Sequence, residues 1–109
     1  MAYKVLGQSN PAATTVTSLY AVPASSSTVV STIVVANQAG SSGTYRIIVQ
    51  PAADVSGTIL AKQYIAYDSS ITANNSTMIT IGITLAASDV IKVYASSANM
   101  SFTAFGSEN

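Results

Sequence analysis

The residues able to do chemistry in this 109-residue chain are few: four Lys and Arg, four Asp and Glu, and no His, Cys or Trp. A general base poised near neutral pH is usually His, and a thiolate nucleophile or a zinc ligand needs Cys or His. A Ser-His-Asp triad is therefore excluded, and no spacing singles out a Ser–Lys pair. The acids Asp54, Asp68, Asp89 and Glu108 are dispersed, each near an expected turn. Glycoside hydrolysis needs two facing carboxylates, and calcium needs at least about six oxygens drawn from close-set acids. The dispersal favours ordinary turn roles for all four. Gly40-Ser41-Ser42-Gly43 lacks the Lys and the following helix of a phosphate loop. The composition points away from an enzyme and implies no cofactor and no metal.

What the chain has instead is strand-forming material with little charge. Charged residues make up 7%, against roughly 25% in soluble domains. Net charge is zero, whereas a small dispersed domain carries a magnitude of about 2–8. A surface this poor in charge is expected to be covered by partners. Lys4, Arg46, Lys62 and Lys92 are scattered rather than clustered, which argues against nucleic acid and against an anionic membrane surface. The longest aliphatic run, Ile33-Val34-Val35-Ala36, is far too short to span a bilayer. The opening residues lack the apolar core of a secretory signal, so the Asn-X-Ser/Thr matches at Asn74, Asn75 and Asn99 are read as chance. Without Cys there is no disulfide framework, and the redox compartment stays open.

Thr, Val, Ile and Tyr fill runs separated by Ser, Gly, Asn, Pro and Asp at intervals of about 8–12 residues, the spacing of a sandwich or barrel. Strands are expected over residues 3–6, 15–22, 28–37, 44–50, 60–67, 77–85, 90–95 and 100–105. Pro23 and Pro51 stop the second and fourth. In 77–85, Ile79, Ile81, Ile83 and Leu85 share one face, opposite Met78, Thr80, Gly82 and Thr84. Tyr45, Ile47 and Val49 oppose Arg46, Ile48 and Gln50. Ile91, Val93 and Ala95 oppose Lys92 and Tyr94. Residues 28–37 are apolar on both faces, as in a central strand or one covered by another subunit. Residues 37–43, with two Gly, are expected to close a hairpin. Asn74-Asn75 and Ala87-Ser88-Asp89 read as tight turns, and only 51–58 has room for a short helix. The expected architecture is one all-β domain over 1–109, an antiparallel β-sandwich of about eight strands with jelly-roll or Greek-key-like topology.

Such a chain has few means of protecting its sheet edges, which favours an obligate oligomer, a trimer being one form, or a lattice component. Candidate contact residues are Val30 and Val34 on the two-faced strand, and Phe105, which should point away from the face shared by Met100, Phe102 and Ala104. Tyr64 and Tyr67 join them, placed by alternation on opposite faces of one strand. An exposed Tyr can anchor a protein interface or stack on a sugar.

Leu19-Tyr20-Ala21-Val22-Pro23-Ala24 followed by Val29-Val30-Ser31-Thr32-Ile33-Val34-Val35-Ala36-Asn37 resembles a pattern of small virion proteins of tailed bacteriophages, cyanophages among them. The resemblance continues through 44–49, 64–68, 81–85, 89–91 and 101–106, and takes in Met1 to Gln8, so it covers nearly the whole chain. The chain departs from it at Ala24-Ser25-Ser26-Ser27, where related proteins often carry a Gly-Lys turn. The resemblance implies a virion structural protein, located in the virion, that decorates a capsid by binding coat subunits or belongs to a neck, tail or fibre. It transfers no active-site residues. A carbohydrate-binding module for host attachment is the alternative, favoured by exposed Tyr and disfavoured by the lack of Trp.

Overall fold

Among the residues described by this computed structural model, 2–109 apart from the side chain of Ile81, the chain folds into eight strands. They are β1 (Tyr3–Ser9), β2 (Thr17–Ala21), β3 (Thr28–Asn37), β4 (Gly43–Gln50), β5 (Tyr64–Ile71), β6 (Asn75–Leu85), β7 (Val90–Ala95) and β8 (Met100–Glu108). The first sheet has the order β1-β8-β3-β6 and the second β2-β7-β4-β5, all pairs antiparallel. Two four-stranded sheets wound in this order are a jelly roll. The shortest extent of the molecule is 19 Å, as two sheets about 10 Å apart and their outer side chains require.

The core is the layer between the sheets. Val30, Ile33, Val35, Met100, Phe102 and Ala104 come from the first sheet; Leu19, Tyr45, Ile47, Ile91, Val93 and Ala95 come from the second. The Tyr45 ring meets Phe102 edge-on at 6.3 Å, a favoured aromatic geometry. The alternation expected for β7 and β8 holds, with Lys92 and Tyr94 turned out and Phe105 37% exposed. In β6, Leu85 is buried and Ile79 and Ile83 pack on the core, while Met78 is 71% exposed. The expected inward turn of Ile81 lies outside the described residues.

Several local expectations change. Residues 37–43 do not close a hairpin: β3 belongs to the first sheet and β4 to the second, so the segment crosses between them. Asn37 anchors that crossing. Its Nδ2 donates to the carbonyls of Ser41, Ile71 and Thr72, and its Oδ1 accepts from the Ala39 N–H. The fifth strand starts at Tyr64 rather than at 60, because a 3-10 turn over Ala61–Gln63 precedes it. The room for a helix near 51–58 holds only the 3-10 turn Ala52–Asp54. Asn74 and Ser88 do sit in turns, both with positive φ.

Residues 28–37 form a central strand, as expected, and its two-faced character has a second origin. The strand lies in the middle of its sheet, but its pairing slips between Val30 and Thr32 against both neighbours. Thr28 and Val30 face inward before the slip; Ile33, Val35 and Asn37 face inward after it. A bulge switches which parity is buried, so apolar residues are needed on even positions first and on odd ones afterwards. The matching irregularity in β6 falls at Gly82, whose φ of +59° suits glycine.

One side of the sandwich is closed where β1 lies against β2. Gly7 makes this possible, since a Cβ there would run into the Leu19 carbonyl. Nearby, the Tyr20 hydroxyl spans the sheets, within 2.7 Å of Thr28 Oγ1 and donating to Glu108 Oε1 at 2.7 Å. Burial is the first cause raising the Tyr20 pKa. Lys4 Nζ lies 3.6 Å from Glu108 Oε2.

Phe102 and Met78 sit on opposite sides of the first sheet and should respond differently to truncation. Phe102→Ala is expected to cost about 3–5 kcal/mol, and Met78→Ala less than about 0.5 kcal/mol. Urea unfolding followed by tyrosine fluorescence checks both.

Candidate functional site

The two outer faces of the sandwich differ in kind. On the second sheet, Arg46 of β4 stands directly opposite Tyr94 of β7, and Tyr64, Tyr67 and Asp68 of β5 complete a row across the strands. The guanidinium carbon lies 4.2 Å from the Tyr67 ring centroid, 4.3 Å from that of Tyr94 and 5.9 Å from that of Tyr64. Tyr64 and Tyr67 meet edge-to-face at 4.9 Å. Arg46 Nε donates to Asp68 Oδ1 at 2.6 Å and Nη2 donates to Oδ2 at 3.2 Å, the fork geometry specific to Arg.

Tyr64 and Tyr67 therefore share a face, contrary to simple alternation. The pairing of β5 with β4 slips twice, between the partners of Tyr45 and Ile47 and again between those of Ile47 and Ile48. Ala66 turns to the core, and each extra residue resets the parity beside it. Asp68, at φ 50°, sits in one of these irregularities, and the bend aims its carboxylate at Arg46. A shallow depression of about 530 Å³ borders the row, lined by Ala61, Tyr64 and Tyr67. Tyr67 is 58% exposed.

Beside this row the segment 51–63 folds back over the same sheet. It covers Ile48 and Gln50, which face outward from β4 yet are fully buried. Gln50 Nε2 donates to Gln63 Oε1, Gln63 Nε2 donates to Asp54 Oδ2, and Lys92 Nζ donates to the Val55 carbonyl. Asp89 ties the segment's start to the next turn, accepting from the N–H groups of Ala52 and Ala86. Each acid thus has a structural partner, and among the described residues no three of His, Cys, Asp and Glu come together.

Among the described residues, the outer face of the first sheet carries no acidic or basic side chain. Its outward positions are Tyr3, Val5 and Gln8 on β1, and Ser101, Thr103 and Phe105 on β8, where Ser107 has the same parity but is buried. Val29, Thr32, Val34 and Ala36 on β3 and Ser76, Met78, Thr80 and Thr84 on β6 complete it. Tyr3, Val5, Val29, Met78 and Phe105 are the large exposed apolar groups among them.

The five candidate contact residues are thus divided. Val34 and Phe105 lie on the first sheet's outer face, and Tyr64 and Tyr67 on the second's. Val30 is 0% exposed; it lies on the inward parity before the β3 slip and is a core residue, not a contact. Arg46, Asp68, Tyr94 and Met78 were not singled out for contact. The outward pairing of Arg46 and Tyr94 follows from alternation, but their meeting with Asp68 depends on bulges that no residue pattern announces. No protein-family model, curated protein or solved structure matches the chain.

Hydrogen bonding to Arg46 is the first cause holding the Asp68 carboxyl below the ordinary range, with burial opposing it; the carboxylate in turn raises the Arg46 pKa. A depressed carboxyl contributes fully above its unfolded value of about 3.9 and loses that contribution as pH falls through the lower folded value. The pair is exposed, so the loss is local to the tyrosine row. The near-UV dichroism of the tyrosines should hold from neutral pH down to about 4 and change below it. Asp68→Asn should show the altered signal already at neutral pH; identical spectra for the two proteins would refute the coupling.

Proposed function

We propose that this chain is a structural protein of a tailed-phage virion, a capsid decoration protein that binds coat subunits. A place in the neck, tail or fibre is the alternative position within the same particle. The observation that carries this is the uncharged outer face of the first sheet. Seating a partner on Ser, Thr, Val and Phe strips no ion of its water, and hydroxyls can donate or accept to whatever they meet. The jelly-roll order, which recurs in viral capsid domains, and the resemblance of strand after strand to phage virion proteins support the same conclusion. No cofactor, nucleic acid or membrane enters it.

The tyrosine row favours a second reading, attachment to a carbohydrate. Rings held by a guanidinium lose little rotamer freedom when a sugar stacks on them. Arg46 already fills the space between the rings and its charge is matched by Asp68, so a neutral sugar fits the depression better than a cation or an acid.

The chain should be found in purified particles. A copy number comparable to that of the coat protein would mean the shell, and one far below it the neck or tail. Absence from particles would refute both positions. Phe105→Ser should lower occupancy on particles while changing stability by less than about 1 kcal/mol; a collapse of melting with occupancy intact would overturn the assignment of Phe105 to a partner contact. For the second reading, a glycan array should give binding to neutral saccharides that Tyr67→Ala abolishes. An array at background removes it.

A further inference from the structure

The four sheet edges are not equally guarded. β1 and β2 close one side of the sandwich against each other. β5 is irregular at two places and carries Asp68 paired to Arg46. Bulges and charges are the usual protection of an edge. β6 has one bulge, at Gly82, and no other guard: it is an eleven-residue edge strand, Asn75–Leu85, without a charged residue or a proline. At its start the Asn75 Oδ1 accepts from the Ser76 N–H. Among the described residues no other side chain or loop bonds the backbone of this strand beyond its ladder with β3.

We propose that β6 pairs antiparallel with β6 of a second copy of this chain, across a two-fold axis at Met78. The pairing with β3 runs in continuous register from Asn75 to Thr80 and is interrupted before Ile83, at the Gly82 bulge. Opposed residues of an antiparallel pair share a face, so a two-fold must pass through one residue, and Met78 is the centre of the five regular residues Ser76 to Thr80. A two-fold there uses those five on both copies. Met78 then faces Met78, Ser76 faces Thr80, and Thr77 faces Ile79. Thioether meets thioether and hydroxyl meets hydroxyl, and no like charges oppose one another. Met78 is 71% exposed and stands beside Val34 on the neighbouring strand, so pairing would also cover an apolar group that the isolated chain leaves in water.

An isologous contact of this kind closes as a dimer rather than a trimer. It joins two first sheets into one eight-stranded sheet, whose combined outer face is uncharged. The inference deepens the assembly function proposed above by naming a contact between copies, and it can fail or hold without reference to any particle.

Sedimentation velocity of the full chain over a concentration series should show a monomer–dimer equilibrium. Met78→Lys would set two ammonium groups against each other and should weaken it by about tenfold or more, with an unchanged melting curve at concentrations where both proteins are monomeric. Thr80→Lys on the same edge should act alike, and Phe105→Lys on β8 should leave the dimer intact. The chain has no native cysteine, so Met78→Cys should give a disulfide-linked dimer on mild oxidation, since directly opposed residues lie within bridging distance. Thr84→Cys, beyond the bulge, should not. A monomer at every concentration, an undiminished Met78→Lys dimer, or equal cross-linking at 78 and 84 would each overturn the proposal. A monomer would leave the virion assignment standing, and absence from particles would leave the dimer standing.

Discussion

The contact between Phe102, Ile33 and Val35 of one sheet and Tyr45, Ile47 and Val93 of the other sets the terms for every other part of the molecule. Each strand must give one parity of its residues to that layer and the other to the outside. Where a strand keeps one parity throughout, as β7 does, its two faces follow from alternation. Where the chain slips by a residue, the faces exchange. The slips in β3 and β5 bury Val30 together with Ile33, and bring Tyr64 to the same side as Tyr67. The outer surface is thus a consequence of how the inner layer is filled.

Charge is partitioned between the two sides of the sandwich. Arg46, Asp68 and Lys92 belong to the second sheet; Asp54 and Lys62 belong to the segment that folds over it. Lys4 and Glu108 meet near the seam between the sheets. The outer face of the first sheet shows hydroxyls, aliphatic groups and one amide, with Tyr3, Met78 and Phe105 the largest groups on it. Such a face loses little hydration free energy when covered, whereas a face bearing ions resists covering unless the partner matches it. One small fold can then hold one side dry in an assembly and the other wet, which a uniformly charged sandwich could not.

Much of this was legible from residue pattern. The bounds of β3 and β7, the inward Ile91 and Val93, the outward Phe105 and the two-layer architecture follow from period-two alternation and turn residues. The bulges were not legible. An extra residue in a strand leaves the composition of the run unchanged, and a strand apolar on both parities reads the same whether it is covered twice or has slipped once. The crossing at 37–43 reads as a hairpin because its glycines signal a turn without saying which sheet the next strand joins. That choice is made by the long-range pairing of β3 with β8 and of β4 with β7. Of the tyrosine row, Arg46 and Tyr94 could be placed by alternation, whereas the approach of Asp68 rests on its positive φ.

The order β1-β8-β3 carries a kinetic consequence. Of these three strands, the latest made is the one inserted between the other two. Until Met100–Glu108 is made, β1 and β3 have no common neighbour, and Phe102 is missing from the layer they would enclose. The Tyr20 hydroxyl must likewise wait for Glu108. Folding by stable accumulation of N-terminal structure is closed to such a chain, because its contacts join distant ends. Until β8 arrives, the edge of β3 that it will cover stands unpaired and open to other chains.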